Sequence, residues 1–545
     1  MEGLLLPRTF LVVALVIGAG TACTSGTSGT SGTSDTATTE GAVAPLVVET
    51  DLGPVEGEDL DGLRVFRAIP YAAPPVGDLR FRPPQEHAGW EEPLETTGTG
   101  AACPQPTSGV LASIIQVPDY SEDCLTLNVW THAEDRNRPV MVWIHGGGYT
   151  TGSAGQPLYD GASLARNGDV VVVSLNYRLG PLGFLVTDEL AQESGGEGVG
   201  NYGILDQVAA LQWVQDNISA FGGDPDNVTI FGESAGGSSV CVHLGSPLSE
   251  GLFDKAIIQS GGGCNRYRAP EQSGGPLADS AQATGQAFVD RTGCAGSGDI
   301  LACLRELPVD EVVSATGANA LGLSAFGPSI DGVVLTKQPV DALADGDTAD
   351  VPILTGANAD ELKLFTLTLP PVTEGTYRLF LNAYAGSPEN SDLLLDLYPP
   401  SDFASPQDAF ETLGTDIGFV CPALEFAAST SDGSAPSFAY LFKHRTGGVA
   451  STIGAAHGVE LPFVFGTLDV AGQLADPGAA EEALEATMQR YWSTFAHRGH
   501  PDDEGTWLQY DRNAPLVALL DEPVETTDEI REGRCAALAE AGLVG

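Results

Sequence analysis

Val228-Thr-Ile-Phe-Gly-Glu-Ser-Ala-Gly236 is the stretch on which the reading of this 545-residue chain turns. The β-branched and aromatic run Val228–Phe231 has strand composition and ends at Gly232, and a helical pattern begins after Ser234. A serine held in a tight turn between strand and helix is thrust out at the edge of a sheet. The free N–H groups of the new helix then point near it. Gly232 and Gly236 flank the turn because side chains there would run into neighbouring backbone. The pentapeptide alone is weak evidence: with 68 glycines, roughly one G-x-S-x-G arises by chance in every one or two such chains. Its surroundings decide the matter.

Upstream, the apolar run Val140–Ile144 leads into His145-Gly-Gly-Gly148. Three glycines after a buried strand leave backbone N–H groups approachable, a loop suited to an oxyanion. Further strand-length apolar runs are Val170–Leu175, Ala256–Ile258, Pro352–Leu354 and Phe438–Phe442. A helical stretch, Leu205–Asn217, separates the strands Val170–Leu175 and Val228–Phe231, with apolar residues three and four apart. Continuous apolar strands alternating with helices predict an α/β architecture with a large, mostly parallel, twisted central sheet covered on both faces. Residues 46–67 read as an antiparallel edge hairpin, and the less regular segments 265–330 and 364–420 as helical caps.

A strand–serine–helix turn preceded by a glycine loop is the pattern of the α/β-hydrolase fold, in which the partners follow in the order serine, acid, histidine. Of the eight histidines, His444, His457, His497 and His500 lie far enough downstream. His457 sits between small residues, Gly454-Ala-Ala and Gly458, in a loop tight enough to hold an imidazole against a serine. His497 and His500 fall in a polar segment that reads as surface. The acid is expected after the strand Pro352–Leu354, where Asp360 and Glu361 stand side by side. Residue chemistry does not separate them.

The stretch Phe221-Gly-Gly-Asp-Pro-Asp-Asn-Val-Thr-Ile-Phe-Gly-Glu-Ser-Ala-Gly236 resembles the serine signature of the type-B carboxylesterase/cholinesterase family, and Glu122-Asp-Cys-Leu-Thr-Leu-Asn-Val129 resembles its second signature. Ile69–Pro75, Asn176–Gly180 and His457–Gly466 are similar too, so that the resemblance spans about residues 46–540. It implies a serine carboxylic-ester hydrolase working through an acyl-enzyme, with Ser234, Glu361 and His457 as triad and the N–H groups of Gly147, Gly148 and Ala235 as oxyanion hole. It selects Glu361 over Asp360, although Leu362 stands where the family has glycine. It also implies the disulfides Cys103–Cys124, Cys294–Cys303 and Cys421–Cys535, and internal ion pairs Arg80–Glu122 and Arg178–Asp206. No cofactor is implied. Cholinesterase-like members hold the choline cation on an aromatic in the loop after the first cysteine. Pro104–Asp119 has none, which disfavours choline esters. The region Leu321–Gly327, mostly small, resembles an acyl pocket with room for a bulky group. The alternatives within enzymes are a lipase or an aryl or carbamate ester hydrolase. Outside them is a binding or adhesion protein of the kind this family contains, which the presence of Ser, Glu and His together disfavours.

The remaining features concern where the chain works. Arg8 precedes a short apolar run, Phe10–Ile17, then small residues and Cys23, so residues 1–22 read as a secretory signal. Cys23 at the cleavage point resembles a bacterial lipoprotein signal, with Gly20 where leucine is usual; an ordinary secretion signal is the alternative. The Thr-Ser-Gly repeats within residues 23–45 are a flexible tether, and residues 46–545 the catalytic domain. With Cys23 set aside, eight cysteines remain of nine, an even count that reads as a disulfide framework. Cys241 and Cys264 are left over as a fourth bridge or two buried thiols. No cysteine or histidine spacing makes a metal site. A net charge of −49, from 73 acidic against 24 basic residues, excludes nucleic-acid partners. It serves solubility or adaptation to high salt; activity that rises with added salt is the mark of the second. The expected partners are small-molecule esters, and a membrane only through the lipid anchor, placing the protein outside the cytoplasm. Mass spectrometry of the mature chain should find a lipidated N-terminal Cys23; an unmodified start elsewhere would exclude the anchor.

Overall fold

A computed structural model describes residues 46–544 apart from 108–116, 118, 134–135, 197, 274–278, 318–325, 348–349, 368, 432, 448–450 and 472–476. Cys23, the tether and most of Leu321–Gly327 therefore lie outside the described residues. The strands in chain order are β1 (Val47–Thr50), β2 (Gly53–Glu56), β3 (Glu58–Leu60), β4 (Leu63–Pro70), β5 (Leu94–Glu95), β6 (Thr126–His132) and β7 (Arg138–Ile144). They continue with β8 (Val171–Leu175), β9 (Gly223–Glu233), β10 (Lys255–Gln259), β11 (Ile353–Asn358), β12 (Ser437–Phe442), β13 (Val517–Leu520) and β14 (Glu525–Thr527). Eleven of them form one sheet in the order β14-β13-β12-β11-β10-β9-β7-β8-β6-β4-β3. The run from β13 to β8 is parallel throughout, and the strands beyond it at either edge pair antiparallel. This is the large, mostly parallel sheet expected from the alternating apolar runs, and the α/β-hydrolase fold expected from the serine turn and the glycine loop.

The central strands are buried on both faces, and successive side chains feed two separate cores. Val140, Val142 and Ile144 of β7 enter one, with Val171, Val173 and Leu175 of β8. Met141 and Trp143 enter the other, with Val172, Phe231 and Ile257. That division explains why these strands read as unbroken apolar runs rather than alternating ones. The helix Tyr202–Asn217 packs on one face and Ala479–Arg498 on the other, supplying Leu211 and Trp492 to the respective cores.

The segment 46–67 departs from a single edge hairpin. It makes two: β1–β2, which joins β5 in a small separate sheet, and β3–β4 on the rim of the large one. The break falls at Gly57, whose α-carbon lies so close to the backbone of β4 that a methyl there would sit 2.5 Å from Val65 O. The segments 265–330 and 364–420 carry helices, as expected, including Ala281–Thr292 and Glu374–Ala385. Among the described residues, no helix is long and apolar enough to cross a membrane.

Four disulfides are formed: Cys103–Cys124, Cys294–Cys303, Cys421–Cys535 and also Cys241–Cys264. Both expected ion pairs are present. Arg80 grips Glu122 through two nitrogens at 2.6 and 2.7 Å. Arg178 does the same with the wholly buried Asp206, at 2.6 and 2.7 Å. A buried forked pair contributes stability mainly through the penalty for removing one partner. Asp206→Ala should therefore destabilise the fold by about 3–5 kcal/mol in chemical denaturation, because Arg178 would keep a buried, uncompensated charge.

Candidate active site

The parallel strands end in step along one edge, where ligands bind in open α/β sheets. Ile144 of β7 pairs with Gly232 of β9, Glu233 with Gln259 of β10, and Gln259 with Gly356 of β11. Ser234 follows β9 directly, Ser260 follows β10, and Glu361 lies just past β11. Strand register therefore assembles the site before any side chain is considered.

Ser234 is half-buried with φ 57° and ψ −121°, a conformation sparsely populated for a residue with a Cβ. Its N–H donates to Gln259 O at 2.9 Å, which pins the turn to β10. Close packing holds it from the other side: a methyl on Gly236 would lie 2.0 Å from Ile144 O, and one on Gly232 would lie 2.5 Å from the Gly236 carbonyl carbon. Ala235 opens the helix Ala235–Gly245.

The glycine loop leaves β7 with φ +109° at Gly147 and +62° at Gly148. The Gly147 carbonyl accepts from the N–H groups of Thr150 and Thr151 at 3.1 and 3.0 Å, so it is turned back into its own loop. His145 anchors the base of the loop. Its ring stacks on Tyr177 at 4.5 Å, Tyr177 Oη donates to His145 O, and burial pushes its imidazole down to about 4, so it stays neutral. A methyl on Gly146 would come within 3.1 Å of Ser234 Cβ and 2.8 Å of Glu233 Oε2, which puts the loop against the serine turn.

The two candidate acids point in different directions. Glu361 is fully buried; its Oε2 lies 2.6 Å from His457 Nδ1, and its Oε1 accepts from Ser260 Oγ at 2.6 Å and from the Asn358 N–H at 2.7 Å. Asp360 faces away, bound to Lys363, Arg445 and the Ala455 N–H. Burial works against its charge, but these partners hold its carboxyl below the usual range. Leu362, where the family has glycine, fits because Gly414 faces it: a methyl there would lie 2.2 Å from Leu362 Cδ2. Of the other histidines, His497 is exposed and bonds Gly168 O, while His444 lies between Asp521 and Glu481.

Sequence reasoning missed two further carboxylates around this imidazole. Glu233 Oε1 lies 3.1 Å from His457 Nε2, though the two are not aligned for a hydrogen bond, and no hydrogen bond joins Nε2 to Ser234 Oγ. Glu460 is wholly buried and accepts from Asn358 Nδ2 and Gln259 Nε2 at 2.5 and 3.1 Å. Both were in view, Glu233 inside the pentapeptide and Glu460 in His457-Gly-Val-Glu460. The available signal was a charged side chain in a segment destined for burial. Burial pulls the His457 imidazole down, but the charges of Glu233 and Glu361 outweigh it and raise the group to about 9. Burial raises Glu233 to about 8 against the opposing charge of His457. The rings of Phe365 and Phe419 cover the imidazole at 5.0 and 5.1 Å.

Fold and site together define an α/β-hydrolase whose reactive edge carries a strained serine, a glycine loop and a carboxylate-bound histidine. The family model of the Carboxylesterase family matches residues 44–538, and the chain belongs to that family. It is 38% identical to the para-nitrobenzyl esterase of Bacillus subtilis (strain 168) over 485 residues, 88% of this chain and 95% of that protein. It is 37% identical to the fumonisin B1 esterase of Sphingopyxis macrogoltabida, covering 87% and 86% of the two chains. A solved PNB esterase structure superposes with a TM-score of 0.78 at 37% identity, over 90% of this chain and 98% of the other. The protein is a carboxylesterase.

A histidine raised above its ordinary value of about 6.5 lends the fold stability that is complete below that value and fades as pH rises through about 9. An NMR titration of His457 should show its midpoint well above 6.5, and Glu233→Gln should move it down by about one unit or more. A midpoint indifferent to Glu233 would dissociate that carboxylate from the imidazole.

Proposed function

We propose that the chain cleaves carboxylic esters through an acyl-enzyme on Ser234, with His457 as general base and Glu361 as its orienting carboxylate. The observation that carries this reading is the 2.6 Å contact between Glu361 and His457 Nδ1, which turns Nε2 toward the serine turn. His457 Nε2 takes the proton of Ser234 as Oγ adds to the carbonyl carbon. The same proton then passes to the departing alkoxide, which leaves as an alcohol. Water repeats the cycle: His457 deprotonates it as it adds to the acyl carbon, then returns that proton to Ser234 Oγ as the acyl–Oγ bond breaks and the carboxylic acid departs. The N–H groups of Gly147, Gly148 and Ala235 receive the oxyanion, and the loop bonding that turns Gly147 O away supports the role of its neighbours. Glu361 and Glu233 stabilise the imidazolium formed midway.

The substrates are small-molecule esters, in keeping with relatives named para-nitrobenzyl and fumonisin B1 esterases. A relative named cholinesterase, from Mus musculus, is 35% identical. The aromatic-free segment Pro104–Asp119 nonetheless argues against choline esters. Residues 1–22 would be removed on export and Cys23 lipidated, with the tether to residue 45 holding the catalytic domain off the membrane; four disulfides suit an oxidising compartment.

Ser234→Ala should abolish burst release of p-nitrophenol from p-nitrophenyl acetate and lower kcat by at least about 10⁴-fold while the fold persists; retained turnover would end this reading. Because His457 must be neutral to act, the acid limb of kcat/KM should lie above the ordinary histidine value, with activity climbing toward pH 9.

A further inference from the structure

A chain with 73 acidic against 24 basic residues has carboxylates to spare for every cation. Arg80, Arg138, Arg178, Arg305 and Arg531 each hold one. Two arginines near the active site do not. Arg266 and Arg268 follow β10, on either side of Tyr267, and both are exposed. Arg266 Nη2 donates to Ile417 O, a neutral acceptor. Among the described residues, the Arg268 side chain bonds nothing, and no carboxylate lies within ion-pair distance of either guanidinium. Arg268 also works against the charge of Arg266. Two like charges without a counter-charge are completed by an anion.

Contacts on three sides set their place. Tyr267 Oη donates to Ser238 O at 2.5 Å, and the Ser238 N–H donates to Ser234 O at 2.8 Å, which ties the pair to the first turn of the serine helix. Ile417 stands two residues before Phe419, whose ring lies 5.1 Å from that of His457. From the helix Glu374–Ala385 comes Tyr384, close enough for Arg266 to favour its ionised form. Its hydroxyl has no hydrogen-bond partner among the described residues. Burial pushes the Tyr384 hydroxyl up and the Arg266 guanidinium down, although both residues keep exposed surface. A group crowded enough to lose hydration yet open to solvent stands in a recess rather than on an outer face. The recess offers hydrogen-bond donors and no carboxylate to satisfy them.

We propose that Arg266, Arg268 and the Tyr384 hydroxyl receive a carboxylate carried by the substrate, so that the site favours esters bearing a second, ionised acid group. This deepens the acyl-enzyme reading above and rests on it. A guanidinium meets a planar carboxylate with two parallel N–H groups, and the phenol O–H adds a further donor. A singly charged carboxylate, rather than a doubly charged phosphate, is the anion that a chain of net charge −49 repels less. That repulsion acts at long range and is screened beyond about 8 Å at physiological salt, whereas the recess acts at contact.

The test measures kcat/KM at physiological salt for two matched pairs of esters. Monoethyl adipate against ethyl hexanoate puts the charge on the acid side; ω-acetoxyhexanoate against hexyl acetate puts it on the alcohol side. In the wild type at least one anionic ester should match or exceed its neutral partner. Arg266→Gln should lower that anionic-to-neutral ratio by about tenfold or more, mainly through KM. Arg268→Gln should shift it the same way by less, and Arg266→Lys should retain part of it. The pair that responds tells which side of the ester bond faces the recess. A wild type that cleaves only the neutral esters overturns the site, as does an unchanged ratio in both glutamine variants. A loss shared equally by neutral and anionic esters also overturns it, leaving Arg266 a strap on Ile417. Should Arg266→Gln not fold, Arg268→Gln decides, since its side chain holds nothing in place. A wild type that cleaves none of the four overturns the acyl-enzyme reading instead.

Discussion

The structure depends on one close approach: the backbone of the serine helix at Gly236 against the carbonyl of Ile144, with no room for even a methyl group between them. That contact joins the end of β7 to the turn after β9. It sets where the glycine loop begins, since His145 follows Ile144, and it bends the chain so that Ser234 takes a positive φ. The strain is of order 1–3 kcal/mol at such a residue. Strand pairing on both sides and the Ser234 N–H bond to Gln259 hold it in place. The loop and the serine thus belong to one rigid joint.

Charge is arranged around the same joint. A chain with few cations places several of them inside: Arg80, Arg178 and Arg531 each meet a carboxylate at low exposure. The imidazole of His457, by contrast, is surrounded by Glu233, Glu361 and Glu460 with no arginine or lysine among its bonded partners. Low dielectric strengthens every one of these interactions. Protons are therefore retained there through neutral pH, and the histidine is a stronger base than it would be in water. A stronger base is harder to keep unprotonated, so the carboxylates that favour proton uptake from a hydroxyl also narrow the pH range in which the ring is free to accept one.

Much of this was legible in the chain. The apolar runs became the parallel strands because both faces of the sheet are covered, and the glycine loop and the serine turn fall directly after β7 and β9, where the motifs put them. Strand ends were less visible. β9 begins at Gly223 rather than Val228, because Gly223 pairs with Arg138 across the sheet, a non-local contact invisible to periodicity. Residue chemistry did not separate Asp360 from Glu361, and only the family resemblance chose the second; in the fold Lys363 and Arg445 pair with the first while Glu361 meets His457. Glu233 and Glu460 escaped notice although each adjoins an apolar run that becomes buried, β9 for the first and Leu461–Phe465 for the second. Cys241 and Cys264 were paired by the fold, which brings the serine helix beside the loop after β10.

Glycine gives the last distinction. At Gly236 and Gly147 an added methyl would collide with backbone, so the residue is demanded by its neighbours and says little about substrate. At Gly418 nothing stands in the way, and φ is not left-handed. There a helical glycine costs about 1 kcal/mol relative to alanine and returns no conformational freedom that the turn uses. The glycines at the serine turn and in the loop after β7 are fixed by the backbone they meet, whereas Gly418 is fixed by none.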